Sequence, residues 1–261
     1  MTLVEEGLVL ALVLLAVVAL IAFLAPVISP LERYHPANDQ DYQSIQLSPT
    51  TDHWFGTDNL GRDNWARVLE GIRISLIVGI GAQAVSLVIG LAIGAGAALG
   101  GKWADGFLMR MTDIAYAFPD LLFIILMRSV LAGRDWPIIG DPLVQVILAI
   151  GTVNWTTLAR LVRGQMLALK EREYVVAAVG LGAPQSRIVF RHMLPNVIGP
   201  VIVAVTFGIP IAIFAEAALG FIGLGLPPPT ASLGRLVSDG YNFIQINVWV
   251  VIFPAAAVAV L

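Results

Sequence analysis

The feature that most constrains this chain is a series of long apolar runs that contain almost no charge. Residues 8–28 and 74–99 contain no Asp, Glu, Lys or Arg, and each is long enough to cross a bilayer as a helix, which takes about 20 apolar residues. Four further apolar runs follow, each of which is shorter or contains a charged residue, at residues 114–130, 143–158, 197–221 and 248–261. The sequence therefore predicts an all-α polytopic membrane protein with six spanning helices, the sixth continuing beyond Leu261.

The overall composition agrees with a chain that has much of its surface in lipid. Hydrophobic residues make up 58% of the 261 residues and charged residues only 13%, whereas a soluble domain carries about 25% charged residues. Together with a formal net charge of −3, these proportions exclude an ordinary soluble enzyme and a basic nucleic-acid-binding protein. The chain has no cysteine and only three scattered histidines, so we expect no metal site.

Lysine and arginine cluster in two segments between the apolar runs, which indicates that these segments are cytoplasmic. The clustered residues are Lys102, Arg110, Arg160, Arg163, Lys170, Arg172, Arg187 and Arg191. The segment at residues 29–73 has more acids than arginines, so we place it outside and both termini in the cytoplasm. Glu5 and Glu6 stand where a cleavable signal peptide would have basic residues. We divide the chain into residues 1–73, a first helix with an extracytoplasmic loop, and residues 74–261, a core of five further helices.

The segment between the fourth and fifth runs, residues 159–196, has the pattern of a compact helical projection. Its first part has helical periodicity, and a glycine-rich stretch ending at Gly182 and followed by a proline stops that helix and allows a turn. Ser186 is expected to cap a second, short helix. Ala177 and Ala178 make one face of the first helix small and smooth, which suits a helix that lies in a groove of another protein.

Within this segment, Ala177-Ala178, Gly182 and Leu194-Pro195 resemble the EAA motif of permease subunits of bacterial ABC importers. The wider sequence resembles the dipeptide, oligopeptide and nickel branch of these importers, and within it the C-type permease. The resemblance runs from about Leu8 to the end of the chain. The matching segments are His53–Asp63, Arg73–Ser75, Glu171–Val175, Phe190–Asn196 and Glu216–Gly225.

The resemblance implies the type I importer permease fold, with a coupling helix between the fourth and fifth spanning helices. It implies that this chain and a second, homologous permease form the pore as a heterodimer. It further implies two cytoplasmic ABC ATPase subunits that bind ATP and Mg²⁺, and an extracytoplasmic binding protein that delivers the solute. The chain itself is then not an enzyme, binds no cofactor and contains no phosphate-binding loop motif.

The implied location is the plasma membrane of a bacterium or archaeon, and the implied cargo is a dipeptide, an oligopeptide or a similar small solute. Nickel or another non-peptide solute is the alternative cargo. An ion-coupled secondary transporter is the alternative mechanism, although the inverted repeats and broken helices that such a protein would show are not evident.

The resemblance assigns the contact with the ATPase to a set of residues in and around the coupling motif. They are Glu173, Ala177, Ala178, Gly182, Arg187, Arg191, Leu194 and Pro195. The chain departs from the motif at Val176, which replaces its glutamate, and Glu173 lies one helical turn earlier. The arginines have two open interpretations, because they can pair with acids of the ATPase or anchor the segment at lipid head groups.

An extracytoplasmic loop and a few polar residues in the spans are the remaining candidates. Turn chemistry explains the loop, with Asp58 expected to cap a helix that starts near Leu60, and docking of the binding protein is the alternative role. Charges inside spans are functional candidates by default. The loop residues are Phe55, Gly56, Asp58, Gly61, Arg62 and Asp63. The candidates for the pathway or a gate are Glu216, Asp120 and Asn154; Glu216 can instead tie the outer loop 220–240 in place.

Overall fold

The computed structural model describes residues 17, 20–24, 36–131, 133 and 137–261, and this part of the chain is helical without a β-strand. The first predicted run, residues 8–28, therefore lies largely outside the described residues. The helices are α1 (Asn64–Leu99), α2 (Gly101–Tyr116), α3 (Asp120–Leu131), α4 (Pro142–Lys170), α5 (Glu173–Gly180), α6 (Gln185–Ile188), α7 (Leu194–Phe221), α8 (Leu233–Tyr241) and α9 (Trp249–Val260).

Three of the described helices are long and apolar enough to cross a membrane: α1, α4 and the continuous stretch Gln185–Phe221 that contains α7. The bent pair of α2 and α3 adds a fourth if it forms one span, and α9 is a shorter apolar helix at the end of the chain. These helices coincide with five of the six predicted runs.

Helix α1 begins ten residues before the predicted apolar run, at Asn64. Asp63 caps it, because the Oδ1 of Asp63 accepts a hydrogen bond from the backbone N–H of Ala66 at 2.9 Å. The prediction that Asp58 caps a helix near Leu60 is wrong. Asp58 instead closes a tight turn, since its Oδ1 accepts hydrogen bonds from the N–H groups of Leu60 and Arg62.

The third predicted run, residues 114–130, is not one continuous helix. Helix α2 ends at Tyr116, helix α3 begins at Asp120, and the two are bent by 93° at the break. Pro119 accounts for the interruption, because a proline cannot donate to the preceding turn and disfavours helical backbone in the residue before it. Its carbonyl accepts from the N–H of Phe123 and so starts the new helix.

The helical projection follows α4 directly, since α4 continues to Lys170. Helix α5 ends at a turn in which Gly182 has a φ of +76°, a conformation that favours glycine. Pro184, not Ser186 as predicted, occupies the N-cap position of α6. A π-helical turn, Val189–Met193, then joins α6 to α7 without a break. The last part of the projection is therefore a direct extension of a membrane-spanning helix.

The chain divides into two compact units that share the long helices. The first contains residues up to 78, residues 141–146 and residues 213–261. Its core includes Leu69 and Ile72 of α1 together with Leu219, Leu233 and Leu236. Within this unit Gly71 of α1 leaves room for Leu233 at the start of α8, where a larger side chain would collide.

The second unit contains residues 79–140 and 147–212. Small residues let its helices approach closely: a side chain at Gly90 would collide with Leu158, and one at Gly94 with Val162. The buried cluster below this contact joins α1, α4, the projection and α7. Its members are Ala98, Val162, Met166, Val175, Ile188, Met193, Val197 and Val201.

Candidate functional site

The projection between α4 and α7, residues 173–193, is called the coupling segment below. One of its faces is anchored in the protein, because Val175, Ile188 and Met193 belong to the buried cluster of the second unit. The same segment exposes several large apolar side chains: Tyr174, Val176, Val179, Leu181 and Phe190. Leu181 is 89% exposed and Val176 is 58% exposed. A segment that is anchored by buried residues and also exposes large apolar side chains is suited to contact another protein.

The structure gathers the predicted coupling residues on this segment, with differences in exposure among them. Glu173, Ala177, Gly182, Arg187 and Arg191 are exposed, and so is Pro195 just beyond the segment, whereas Ala178 and Leu194 are half-buried. Ala178 packs against the buried cluster. A side chain at Gly182 would meet no atom within 4 Å, so the positive φ, and not crowding, accounts for glycine at this position.

Polar contacts hold α2 and α4 together next to the coupling segment. Arg160 donates to Asp113 at 2.9 Å and lies over the ring of Tyr116. Arg163 forms an ion pair with Asp105 through two nitrogens, and the ammonium of Lys170 donates to the carbonyl of Ala98 at the end of α1. Three of the basic residues that mark this side of the membrane therefore have partners within the chain. Arg187 and Arg191, in contrast, extend from the exposed coupling segment.

Glu216, a pathway candidate, is completely buried in the first unit. Its Oε2 accepts a hydrogen bond from the hydroxyl of Ser75 on α1 at 3.0 Å, and the hydroxyl of Ser232 also faces the carboxylate. Ser232 is the N-cap of α8, and Gly234 in the first turn of α8 packs directly against the backbone of Ala217. These contacts support the interpretation that Glu216 holds the outer loop in place.

The other two pathway candidates lie in the second unit. Asp120 is exposed at the first residue of α3, and Asn154 is half-buried within α4. Sequence reasoning missed a third polar residue, Gln83, which is buried in α1 and donates through Nε2 to the carbonyl of Gly208 at 2.9 Å. The signal was present, because Gln83 is the only amide side chain in the run 74–99.

The candidate residues of the loop 55–63 are occupied by contacts within the first unit. The Oδ2 of Asp58 accepts from Nε of Arg62 at 2.7 Å, and Oδ2 of Asp63 lies 2.8 Å from Nδ1 of His53. Phe55 stacks on Phe253 of α9, with ring centroids 3.8 Å apart.

The two glycines of this loop are equally constrained. Gly56 and Gly61 have φ values of +70° and +72°, and a side chain on either would collide with backbone atoms of Leu47 or Asp41. With the contacts of the four side chains, these positions account for all six residues of the predicted set as parts of a structured turn.

Taken together, the apolar spanning helices and the helical projection between α4 and α7 define a membrane permease subunit. The fold agrees with this class. A chain of the MetNI methionine ABC transporter, solved in inward-facing conformations, matches with a TM-score of 0.59 over 74% of this chain and 88% of that chain, at 19% sequence identity. At this low identity the similarity shows the fold alone, which is that of a type I importer permease.

The chain belongs to the family described as the binding-protein-dependent transport system inner membrane component, whose sequence profile matches residues 86–261. It is 39% identical over 254 residues to the oligopeptide transport system permease protein OppC of Bacillus subtilis, covering 95% of this chain and 78% of that protein. It is 38% identical over 239 residues to the dipeptide transport system permease protein DppC of the same organism, covering 91% and 72%.

A further relative is OppC of Haemophilus influenzae, 37% identical over 247 residues, with 94% of this chain and 76% of that protein covered. The chain is therefore a multi-pass inner-membrane permease subunit of an ABC importer that works with ATPase and binding-protein partners. It is not an enzyme, since ATP hydrolysis belongs to separate ATPase subunits. This membership also decides against the ion-coupled secondary transporter.

Proposed function

We propose that this permease imports dipeptides or oligopeptides and forms half of the translocation pathway, with a second, homologous permease as the other half. The names of the oligopeptide and dipeptide permeases to which it is 37–39% identical support this cargo. Two ATPase subunits complete the complex and bind ATP and Mg²⁺, while this chain binds neither. The pore is then a heterodimer.

The coupling segment transmits the motion of one ATPase subunit to the spanning helices. The observation that carries this assignment is that Val175, Ile188 and Met193 are buried in the protein while large apolar side chains of the same segment are exposed. Because the π-turn runs into α7 without a break, a displacement of the segment moves a spanning helix directly. Arg187 and Arg191 flank this contact, and each can pair with an acid of the ATPase.

The coupling segment faces the cytoplasm, and residues 36–63 and 222–248 face the outside, with both termini in the cytoplasm. The excess of lysine and arginine near the cytoplasmic ends of α2 and α4 supports this orientation. The chain has no native cysteine, so single cysteines introduced on either side report it directly through a membrane-impermeant maleimide.

The test is transport by the complete complex in proteoliposomes, with each candidate binding protein from the same organism supplied in turn. We expect a binding protein loaded with a di- to pentapeptide to stimulate ATP hydrolysis and to drive ATP-dependent accumulation of that peptide. Ni²⁺ and free amino acids serve as comparison solutes. Accumulation of Ni²⁺ or an amino acid, with none of any peptide, would contradict the proposed cargo.

A further inference from the structure

An open, polar cavity of about 500 Å³ lies in the first unit, between the turn after Asp58 and helix α8. Its walls carry three arginines, one aspartate and several neutral polar or apolar groups. The lining residues are Asn59, Leu60, Arg62, Arg67, Pro228, Pro229, Thr230, Arg235, Asp239, Asn242 and Phe243. A cavity of this volume accommodates a few side chains of another molecule.

Two of the arginines share one carboxylate. The Oδ2 of Asp58 lies 2.7 Å from Nε of Arg62 and 3.6 Å from Nε of Arg67. The lining of the cavity itself carries three guanidinium groups, those of Arg62, Arg67 and Arg235, and one carboxylate, that of Asp239.

Arg67 is the buried member of this group. It is 1% exposed, and its Nη1 donates to the carbonyl of Ala37 at 3.3 Å. Its Nε makes no hydrogen bond with any of the residues that the structure describes. A buried cation is costly unless negative charge surrounds it. Arg67 therefore gives the cavity a fixed positive potential that favours the entry of an anion.

Arg235 is the arginine of this group whose ion-pair partner can change. Its Nε lies 3.0 Å from Asp239, one turn away on α8, and both side chains are partly exposed. Such a partly exposed pair contributes little to stability, so Arg235 can exchange Asp239 for a carboxylate that enters the cavity. The consecutive prolines 228 and 229 form a wall whose backbone is restricted and therefore keeps its shape on binding.

We propose that this cavity is the docking pocket for an acidic side chain, Asp or Glu, of the extracytoplasmic binding protein. The assignment rests on the proposed function, since it requires that α8 faces the outside. The partner is favoured over the cargo because a transport pathway must release its solute, whereas three arginines that line one cavity hold a carboxylate. A partner must also remain docked while the solute leaves it.

The experiment uses the complete complex in nanodiscs and the binding protein that most strongly stimulates ATP hydrolysis by the unchanged complex. We expect Arg235→Gln to weaken binding of this protein about tenfold, a loss typical of removing one partner of an interfacial charge pair, and to reduce the dependence of the affinity on salt. Arg235→Lys should retain most of the affinity. Asp239→Asn should bind a few-fold more tightly, because it removes the competing carboxylate.

Asp52→Asn is the matched control, because Asp52 is an exposed acid of the same outer region that does not line the cavity. The affinity of this variant complex for the binding protein should stay within twofold of that of the unchanged complex. An affinity within twofold for both Arg235→Gln and Asp239→Asn, in complexes with normal subunit ratios, would overturn the docking pocket. Arg235→Gln could instead change how the transport rate depends on peptide concentration while the affinity for the binding protein stays the same. That result would also overturn the docking pocket, since the cargo would then occupy the cavity.

A single cysteine at Asn242, at the exposed rim, separates this result from the proposed function. We expect maleimide added outside intact cells to label Asn242→Cys, and the docked binding protein to protect it. Absence of labelling from outside refutes the orientation and the pocket together. Failure of peptide uptake refutes only the cargo, because the affinity of the binding protein is measured independently of transport.

Discussion

The coupling segment and the loop 55–63 both match motifs of the same family, yet their side chains are used in opposite ways. In the loop, Asp58 and Asp63 are bound by neighbouring groups, and both glycines lie against backbone. In the coupling segment, Gly182 has open space around it and Leu181 is 89% exposed. Motif residues of the first kind build the fold, and those of the second kind are free to contact a partner.

Gly61 and Gly182 provide the sharpest test of this difference, because their φ values, +72° and +76°, are almost the same. We expect Gly61→Val to cause the largest loss, on the order of 4 kcal/mol of unfolding free energy, since the side chain would collide with the backbone of Asp41. Thermal unfolding of the purified permease and the yield of assembled complex measure the effect. A stable, fully assembled Gly61→Val complex would show that the loop is not a rigid structural element.

The next largest effect is expected from Asp58→Ala. This change leaves both Arg62 and Arg67 without their shared carboxylate, and breaking a buried ion pair by removing one partner costs about 3 kcal/mol. Thermal unfolding should show the loss, and Asp52→Ala, at an exposed acid in the same region, is the control. Equal stability of the two variants would mean that solvent already screens these arginines.

Gly182→Val should have a smaller effect on stability and a larger one on coupling. A β-branched residue in left-handed backbone costs about 1–2 kcal/mol, and the turn has room to change shape. We therefore expect the variant complex to form and to hydrolyse ATP with little transport. Gly182→Asn should restore transport, because asparagine tolerates this backbone conformation. Full ATP-driven uptake by Gly182→Val, at normal subunit ratios, would contradict the coupling assignment.

Among the residues that the structure describes, the sequence predicted the positions of the apolar helices well because long uncharged runs have few alternatives in a membrane protein. It predicted local geometry less well. Asp58 and Asp63 are both acids that precede the helix, and only the fold shows that Asp63 is the cap. The break before α3 was missed because the apolar run continues across Pro119. The charge sharing at Asp58 depends on Arg67, which no local pattern joins to the loop.

The smallest change in stability, and the most specific loss of function, is expected from Leu181→Ser. Its side chain is 89% exposed, so the substitution should alter the unfolding free energy by no more than about 0.5 kcal/mol. If the coupling segment inserts Leu181 into a groove of the ATPase, affinity for that subunit should fall about tenfold, as for a central apolar contact of an interface. Ile246→Ser, at another highly exposed residue in the outer region, should change neither quantity. Unchanged ATPase affinity for Leu181→Ser would remove the exposed apolar face from the interface, and the contrast with the outer loop would then rest on Gly182 alone.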